Sequence, residues 1–228
     1  MSLAARFALA PLAAVAALAL GGCDYLRPFE QLCERKLAPA EITVEAVPVS
    51  YRTDFSLSSR QLTAMGAASA GRLTLGLTQT NLKSSVSLGG KGITHRFTGR
   101  HCMRASVHVR LAFEPMTVYV SRDHPPGSCA HEITMGHELK HVRVYENFLA
   151  EVSEKIEREL RANFGEGTRY FSSQAEAEKQ VQTQTHRYLA PFVQESMKGV
   201  TARQAKIDSE EEYFRLDRFQ ASCRDGSV

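Results

Sequence analysis

The sequence predicts an α+β fold, a small and mostly antiparallel sheet followed by long helices. Segments rich in β-branched or alternating apolar residues crowd the chain before residue 122. Apolar positions recur at helical spacing from Leu139 onward. The two patterns follow one another without interleaving, which is the layout of separate strand and helix regions.

Each element has its own warrant. Residues 23–39 read as a tether with one helical turn. Residues 42–51 are β-branched, and Pro48 restricts them to an edge or bulged strand. Residues 58–67 have room for a short helix. Over 72–88 the alternation is weak, with Leu73, Leu75 and Leu77 on one face and Thr74 and Gly76 on the other. The glycines at 89, 90 and 92 make a turn. Residues 101–113 alternate clearly: Met103, Ala105, Val107, Val109 and Leu111 share a face, with Ser106, His108 and Arg110 opposite. Residues 116–121 form a second strand beside that one. A Pro- and Gly-containing loop then ends at Ser128, a helix N-cap. The helix it opens reaches about Asn163, because Leu139, Val142, Leu149, Val152, Ile156 and Leu160 fall on one stripe and Gly165 and Gly167 end it. Ser173-Gln-Ala-Glu176 is a capping box. It starts a second helical stretch towards Gln220, expected to bend near Pro191 or Gly199. Phe148 and Phe171 are most simply core.

The 228 residues suit one domain, and 43% apolar with 23% charged residues is a globular composition. A net charge of +3 is too mild to argue for nucleic acid. There is no Gly-rich phosphate loop, tandem CxxC or internal repeat.

Residues 1–22 read as a signal peptide. Arg6 is the only charge before the apolar run 7–20, whose 14 residues are short for a membrane span. The run ends in Leu20-Gly21-Gly22-Cys23, which resembles a bacterial lipobox, where the cysteine is acylated and becomes the new N-terminus. A plain secretory signal cut after Ala19 is the alternative. Cysteine parity favours lipidation: of Cys23, Cys33, Cys102, Cys129 and Cys223, four remain if Cys23 carries lipid. An oxidising periplasm would pair them. Cys102 near a strand start and Cys129 at the helix start are expected to tie sheet to helix, and Cys33 and Cys223 to join the chain's ends. The expected location is the periplasmic side of the cell envelope. Asp24 resembles an inner-membrane retention signal. Residues 23–39 are then the tether and 40–228 the folded domain.

The chemistry is concentrated in His137-Glu-Leu-Lys-His141. Residues i and i+4 of a helix lie about 40° apart, so His137 and His141 present two imidazoles to one point. That is half of a tetrahedral Zn²⁺ site. Glu138, about 100° round from His137, can reach a water on the metal rather than the metal itself. This is the HExxH arrangement for peptide hydrolysis, with Glu138 as catalytic base. A helix face that merely carries two histidines is the bland alternative.

The motif, its helix and the preceding strands resemble the zincin metalloproteases. More narrowly, they resemble a family of predicted secreted zinc-dependent proteases of otherwise unknown function. The points of likeness are the strand Thr117-Val-Tyr-Val-Ser121, Cys129 before the helix, HELKH with Glu146 after it, and Asp208-Ser-Glu-Glu-Glu-Tyr213. The resemblance spans roughly residues 40–223, with HELKH its one sharp motif. It departs at Tyr213, where that family usually has histidine, and at Lys140, where it often has glycine.

The third ligand is open at this level. Residue 147 is Asn, so no histidine continues the motif. Glu146 lies about 180° round the helix from His137 and would face the apolar side. Glu212 is the leading candidate, with Asp208 orienting an imidazole. Glu176, Glu178 and His186 compete, and a solvated acidic patch at 210–212 is equally compatible. His131 reads as surface or as support for a ligand. His95, His101, His108 and His124 have no ligating spacing, and His124 and Tyr145 are candidates for stabilising an oxyanion. Two functional classes follow. One is a membrane-tethered zinc peptidase acting on a peptide or protein substrate laid against strand 116–121. The other is a non-enzymatic envelope lipoprotein, a degenerate zincin or helical scaffold.

Overall fold

The computed structural model describes residues 28–67, 72–165 and 167–224. Cys23, Asp24 and the expected signal peptide, residues 1–22, lie outside them. The first element is helix α1 (Phe29–Lys36), followed by strands β1 (Glu41–Ala46) and β2 (Arg52–Asp54). A helical turn α2 (Ser59–Leu62) runs into a π turn at Thr63–Ala67. Then come β3 (Gly76–Gln79), β4 (Leu82–Gly89), β5 (Gly92–Thr94), β6 (His101–Met103), β7 (Ser106–Phe113) and β8 (Thr117–Val120). The long helix α3 (Cys129–Phe164) precedes β9 (Arg169–Phe171), α4 (Gln174–Ile207) and α5 (Glu210–Arg224). The α+β layout stands.

The strands form three three-stranded sheets rather than one: β1-β7-β4, β2-β8-β3 and β5-β6-β9. β1 pairs parallel with β7 and β2 parallel with β8, while the other four pairings are antiparallel. The expected strand 101–113 breaks at Arg104 and Ala105, and its two halves join different sheets. β8 is the centre of its sheet, not the edge expected of it. The reason is that β2 and β3 both pair with it, one on each side; Thr117, Val118 and Val120 are also buried. The edge role falls to β3.

The core lies between the β1-β7-β4 sheet and helices α3 and α4. Val107, Val109, Leu111 and Phe113 of β7 share one buried cluster with Leu149, Val152, Ile156 and Leu160 of α3 and Val181 and Leu189 of α4. The period-2 pattern selects Val107, Val109 and Leu111, and the helical stripe selects Leu149, Val152, Ile156 and Leu160. Phe148 and Phe171 are buried in the same cluster.

Two expectations are corrected here. The helical stretch from Ser173 does not run unbroken to Gln220: α4 passes through Pro191 and Gly199 as one helix and ends at Ile207. Pro191 and Arg187 are both exposed, so the Arg187 carbonyl that loses its donor can turn to water. The chain breaks instead at Asp208 and Ser209. The Ser209 hydroxyl accepts from the Glu212 N–H (3.3 Å), capping α5. Disulfide pairing is also rearranged. All four expected cysteines are bonded, but as Cys33–Cys102 and Cys129–Cys223, with Cα separations of 6.3 and 5.7 Å. α1 packs on β6, which brings Cys33 to Cys102. α5 packs on α3, which brings Cys223 to Cys129. The two ends of the domain are tied to its body and not to each other. Two disulfides place the chain in an oxidising, extracytoplasmic setting. Among the described residues no helix is long and apolar enough to cross a membrane.

Candidate metal centre

The site is built on the first turns of α3 and closed by the junction of α4 with α5. Ser128 starts α3 by accepting the His131 N–H (3.2 Å). Two turns later His137, Glu138 and His141 are all buried, at 6%, 3% and 8% exposure. Their ligand atoms lie within 4.8 Å of one another, a group that could hold a metal ion. The two Nε2 atoms face each other at 3.3 Å. Burial this deep is unusual for charged or polar side chains and demands partners.

Those partners come mainly from the α4–α5 junction. Asp208 Oδ1 is 3.2 Å from His137 Nε2 and 3.2 Å from His141 Nε2. The Tyr213 hydroxyl donates to the same oxygen (3.1 Å). Gln204, one turn before Asp208, donates from its amide nitrogen to the His141 carbonyl (3.2 Å). That fixes its amide oxygen towards His141 Nδ1 (2.5 Å), which must then be the donor. With Nδ1 engaged by Gln204, His141 keeps Nε2 turned to the centre.

Glu212 stands further out. It bonds Lys140 and Arg215, and its Oε1 is 3.8 Å from His137 Nδ1. That Nδ1 is buried without a hydrogen-bond partner. The two carboxylates thus occupy the reverse of their expected places: Asp208 meets the inward-facing nitrogens and Glu212 lies behind an imidazole. The break at Asp208 and Ser209 is the cause, because it ends the single helical face on which the two were expected to stand.

Electrostatics follow the contacts. Burial pushes the Glu138 carboxyl up, with His141, His137 and a hydrogen bond from Thr78 opposing it. Burial also raises Asp208, but hydrogen bonds from His137 and His141 prevail and hold it well below the usual carboxylate range. Glu212 is pushed up by burial and held down at about 2 by Arg215 and Lys140. For His141, burial disfavours the charge, and Asp208, Glu138 and Gln204 more than restore it.

β3 forms the wall beside Glu138. The Thr78 hydroxyl donates to Glu138 Oε2 (2.8 Å). Gly76 has ordinary extended backbone, and its role is close approach: a Cβ there would lie 2.5 Å from Glu138 Oε1 and 2.8 Å from the Thr134 methyl. Between β3 and α5 opens a cavity of about 740 Å³ whose lining includes Leu75, Leu77, Tyr145, Leu216 and Gln220. Arg72 and Asp217 pair across it at 2.7 Å.

The remaining candidates are elsewhere. Glu176 caps α4 through Ser172. Glu178 and His186 lie with His101 in a separate hollow. Glu146 is exposed, not turned to the apolar side. His131 is buried rather than on the surface, with Nδ1 donating to the His124 carbonyl (3.1 Å) and its ring edge-on to Phe55. His124 does not line the cavity, whereas Tyr145 does. The residues that sequence reasoning missed are Gln204, Thr78 and the steric role of Gly76. For the last two a signal existed, since they share the polar face opposite Leu75 and Leu77. For Gln204 there was none. No family model, no curated protein and no solved structure matches the chain.

Proposed function

We propose that the chain is a zinc-dependent peptidase, lipid-anchored at Cys23 on the periplasmic side of the cell envelope, with His137, His141 and Asp208 as metal ligands. One observation carries this reading. His137 Nε2, His141 Nε2 and Asp208 Oδ1 form a triangle with edges of 3.3, 3.2 and 3.2 Å. Donors about 2.0–2.1 Å from a tetrahedral ion must stand about 3.3 Å apart. Two imidazoles and one carboxylate are the donor set of catalytic zinc sites, which leave a fourth position open. Gln204 behind His141 is the support that such a ligand needs, and Glu212 stands 3.8 Å behind His137 Nδ1, near enough to become one.

A zinc ion held there would acidify a water to a pKa of about 7 and polarise a carbonyl. Glu138 does the proton work. Its buried carboxylate, aligned by Thr78 and pressed by Gly76, takes the proton as the peptide carbonyl is attacked and delivers it to the leaving amine. Burial favours the first half, since it raises the carboxyl's hold on the proton. An extended peptide would lie along β3, the sheet edge at the cavity, adding one strand to it.

The test is a pair of variants assayed for bound metal and for cleavage of an unfolded-peptide library. His141→Ala should lose both zinc and cleavage. Glu138→Gln should keep zinc and lose about 10²–10⁴-fold in rate. Wild-type protein that binds no zinc near neutral pH would overturn the reading in favour of a non-enzymatic lipoprotein. Zinc without any cleavage would leave a structural metal site.

A further inference from the structure

At the opposite end of α3 from the metal centre is an exposed aromatic tip. β5 and β6 form a hairpin whose turn carries Phe97, 75% exposed. No other large apolar side chain among the described residues is as exposed. The turn around it is well tied. The His95 N–H donates to the Arg100 carbonyl (2.7 Å), the Gly99 N–H to the His95 carbonyl (2.9 Å), and the Thr98 N–H to His95 Nδ1 (3.2 Å). Gly99, at φ 72°, takes the left-handed position that closes the turn. The Arg96 guanidinium lies 4.3 Å over the Phe97 ring.

This tip is fixed to the helix through which the chain reaches its N-terminal segment. The His95 ring is 5.4 Å from Phe29 and 6.0 Å from Phe97. Arg100 stacks on Phe29 and pairs with Glu30 at 2.7 Å. Cys33–Cys102 locks α1 to β6 covalently. Phe29 follows Cys23 by six residues, a span of roughly 20 Å even when fully extended. A chain anchored at Cys23 therefore cannot carry α1 and the Phe97 tip far from the bilayer surface.

We propose that the Phe97 tip is a membrane-docking wedge. Phe97 enters the boundary between headgroups and acyl chains, and Arg96 contacts anionic headgroups beside it. This rests on the lipid-anchor reading above. Aromatic rings and long cationic side chains are the residues that settle at that boundary. The hairpin sets the orientation of the anchored domain. β9, paired with β6, follows directly on the C-terminal end of α3. From Phe164 back to His141 the helix spans roughly 35 Å at about 1.5 Å per residue. The docked hairpin thus holds the cleft well above the lipid, facing proteins in the periplasm rather than the bilayer.

The chain contains no tryptophan, so Phe97→Trp is a single fluorescent reporter in the full lipidated protein. Phe214→Trp, on exposed α5, is the reference. Both are reconstituted into phosphatidylethanolamine–phosphatidylglycerol vesicles and tested for flotation, emission and quenching. The expected result is flotation of both, with blue-shifted emission of Trp at 97 alone and its quenching by brominated acyl chains. Flotation with red emission at 97 and full quenching by aqueous acrylamide overturns the wedge while the anchor stands. Blue-shifted emission that brominated lipid does not quench means that protein, such as a second copy, covers the tip, and also overturns it. Failure to float removes the anchor reading and the wedge with it.

Discussion

The two halves of the metal centre are held in place by different means. The α3 half is part of a 36-residue helix packed into the core, and its three polar side chains are less than 10% exposed. The other half sits at a helix break, with the Asp208 side chain 38% exposed. It is kept there by fasteners: Lys140–Glu212, Gln204 on His141, Arg72–Asp217 and the Cys129–Cys223 disulfide. On the proposed reading, metal binding would then depend on the α4–α5 junction more than on the HExxH helix.

Substitutions that break this asymmetry should fall in a definite order. Asp208→Ala removes a proposed ligand and should abolish stoichiometric zinc binding while leaving the circular dichroism spectrum unchanged. Gly76→Ala comes next. Its Cβ would collide with Glu138, so cleavage should fall about 10²-fold or more, within the range for loss of a general base, with zinc retained. Zinc lost along with activity would mean that β3 supports the ligands and not only Glu138.

Gln204→Leu and Glu212→Gln should each weaken zinc by about 10–100-fold, the usual cost of losing a group that orients a ligand. Competition with a chelator measures this. Equal and complete loss in Glu212→Gln would restore that residue as a ligand. Cys129→Ser with Cys223→Ser should cost about 2–4 kcal/mol of global unfolding free energy if α5 unfolds with the core. The account predicts a smaller global change, with hydrogen exchange accelerated in α5 and not in residues 148–160 of α3. Arg72→Ala removes an exposed pair and should change stability by less than about 1 kcal/mol. Its effect should appear instead as altered KM for long peptides.

The same asymmetry decides what could be read from the sequence. A helix stripe and an i, i+4 pair are local, so α3 from its Ser128 cap, the buried face of β7 and the histidine half-site were all legible. The α4–α5 break left a local sign too: Ser209-Glu-Glu-Glu212 has the same Ser-x-x-Glu spacing as the capping box at Ser173, yet it reads equally as an acidic patch on a continuing helix. A continuing helix would put Asp208 and Glu212 on one face; the break turns Asp208 to the two Nε2 atoms and leaves Glu212 behind His137. Sheet partition and disulfide pairing depend on which elements meet, and four cysteines allow three pairings that no spacing distinguishes. The central position of β8 follows from partners supplied by β2 and β3, both distant in sequence.

The central claim is that His137, His141 and Asp208 bind zinc together. It is tested most directly by an anomalous difference map at the zinc edge, from crystals of the disulfide-bonded protein grown with zinc. The account predicts one strong peak about 2.0–2.1 Å from His137 Nε2, His141 Nε2 and Asp208 Oδ1, with Glu138 beside it and Glu212 turned towards His137 Nδ1. No peak at the two histidines, or a peak bound by Glu212 with Asp208 turned away, would contradict it.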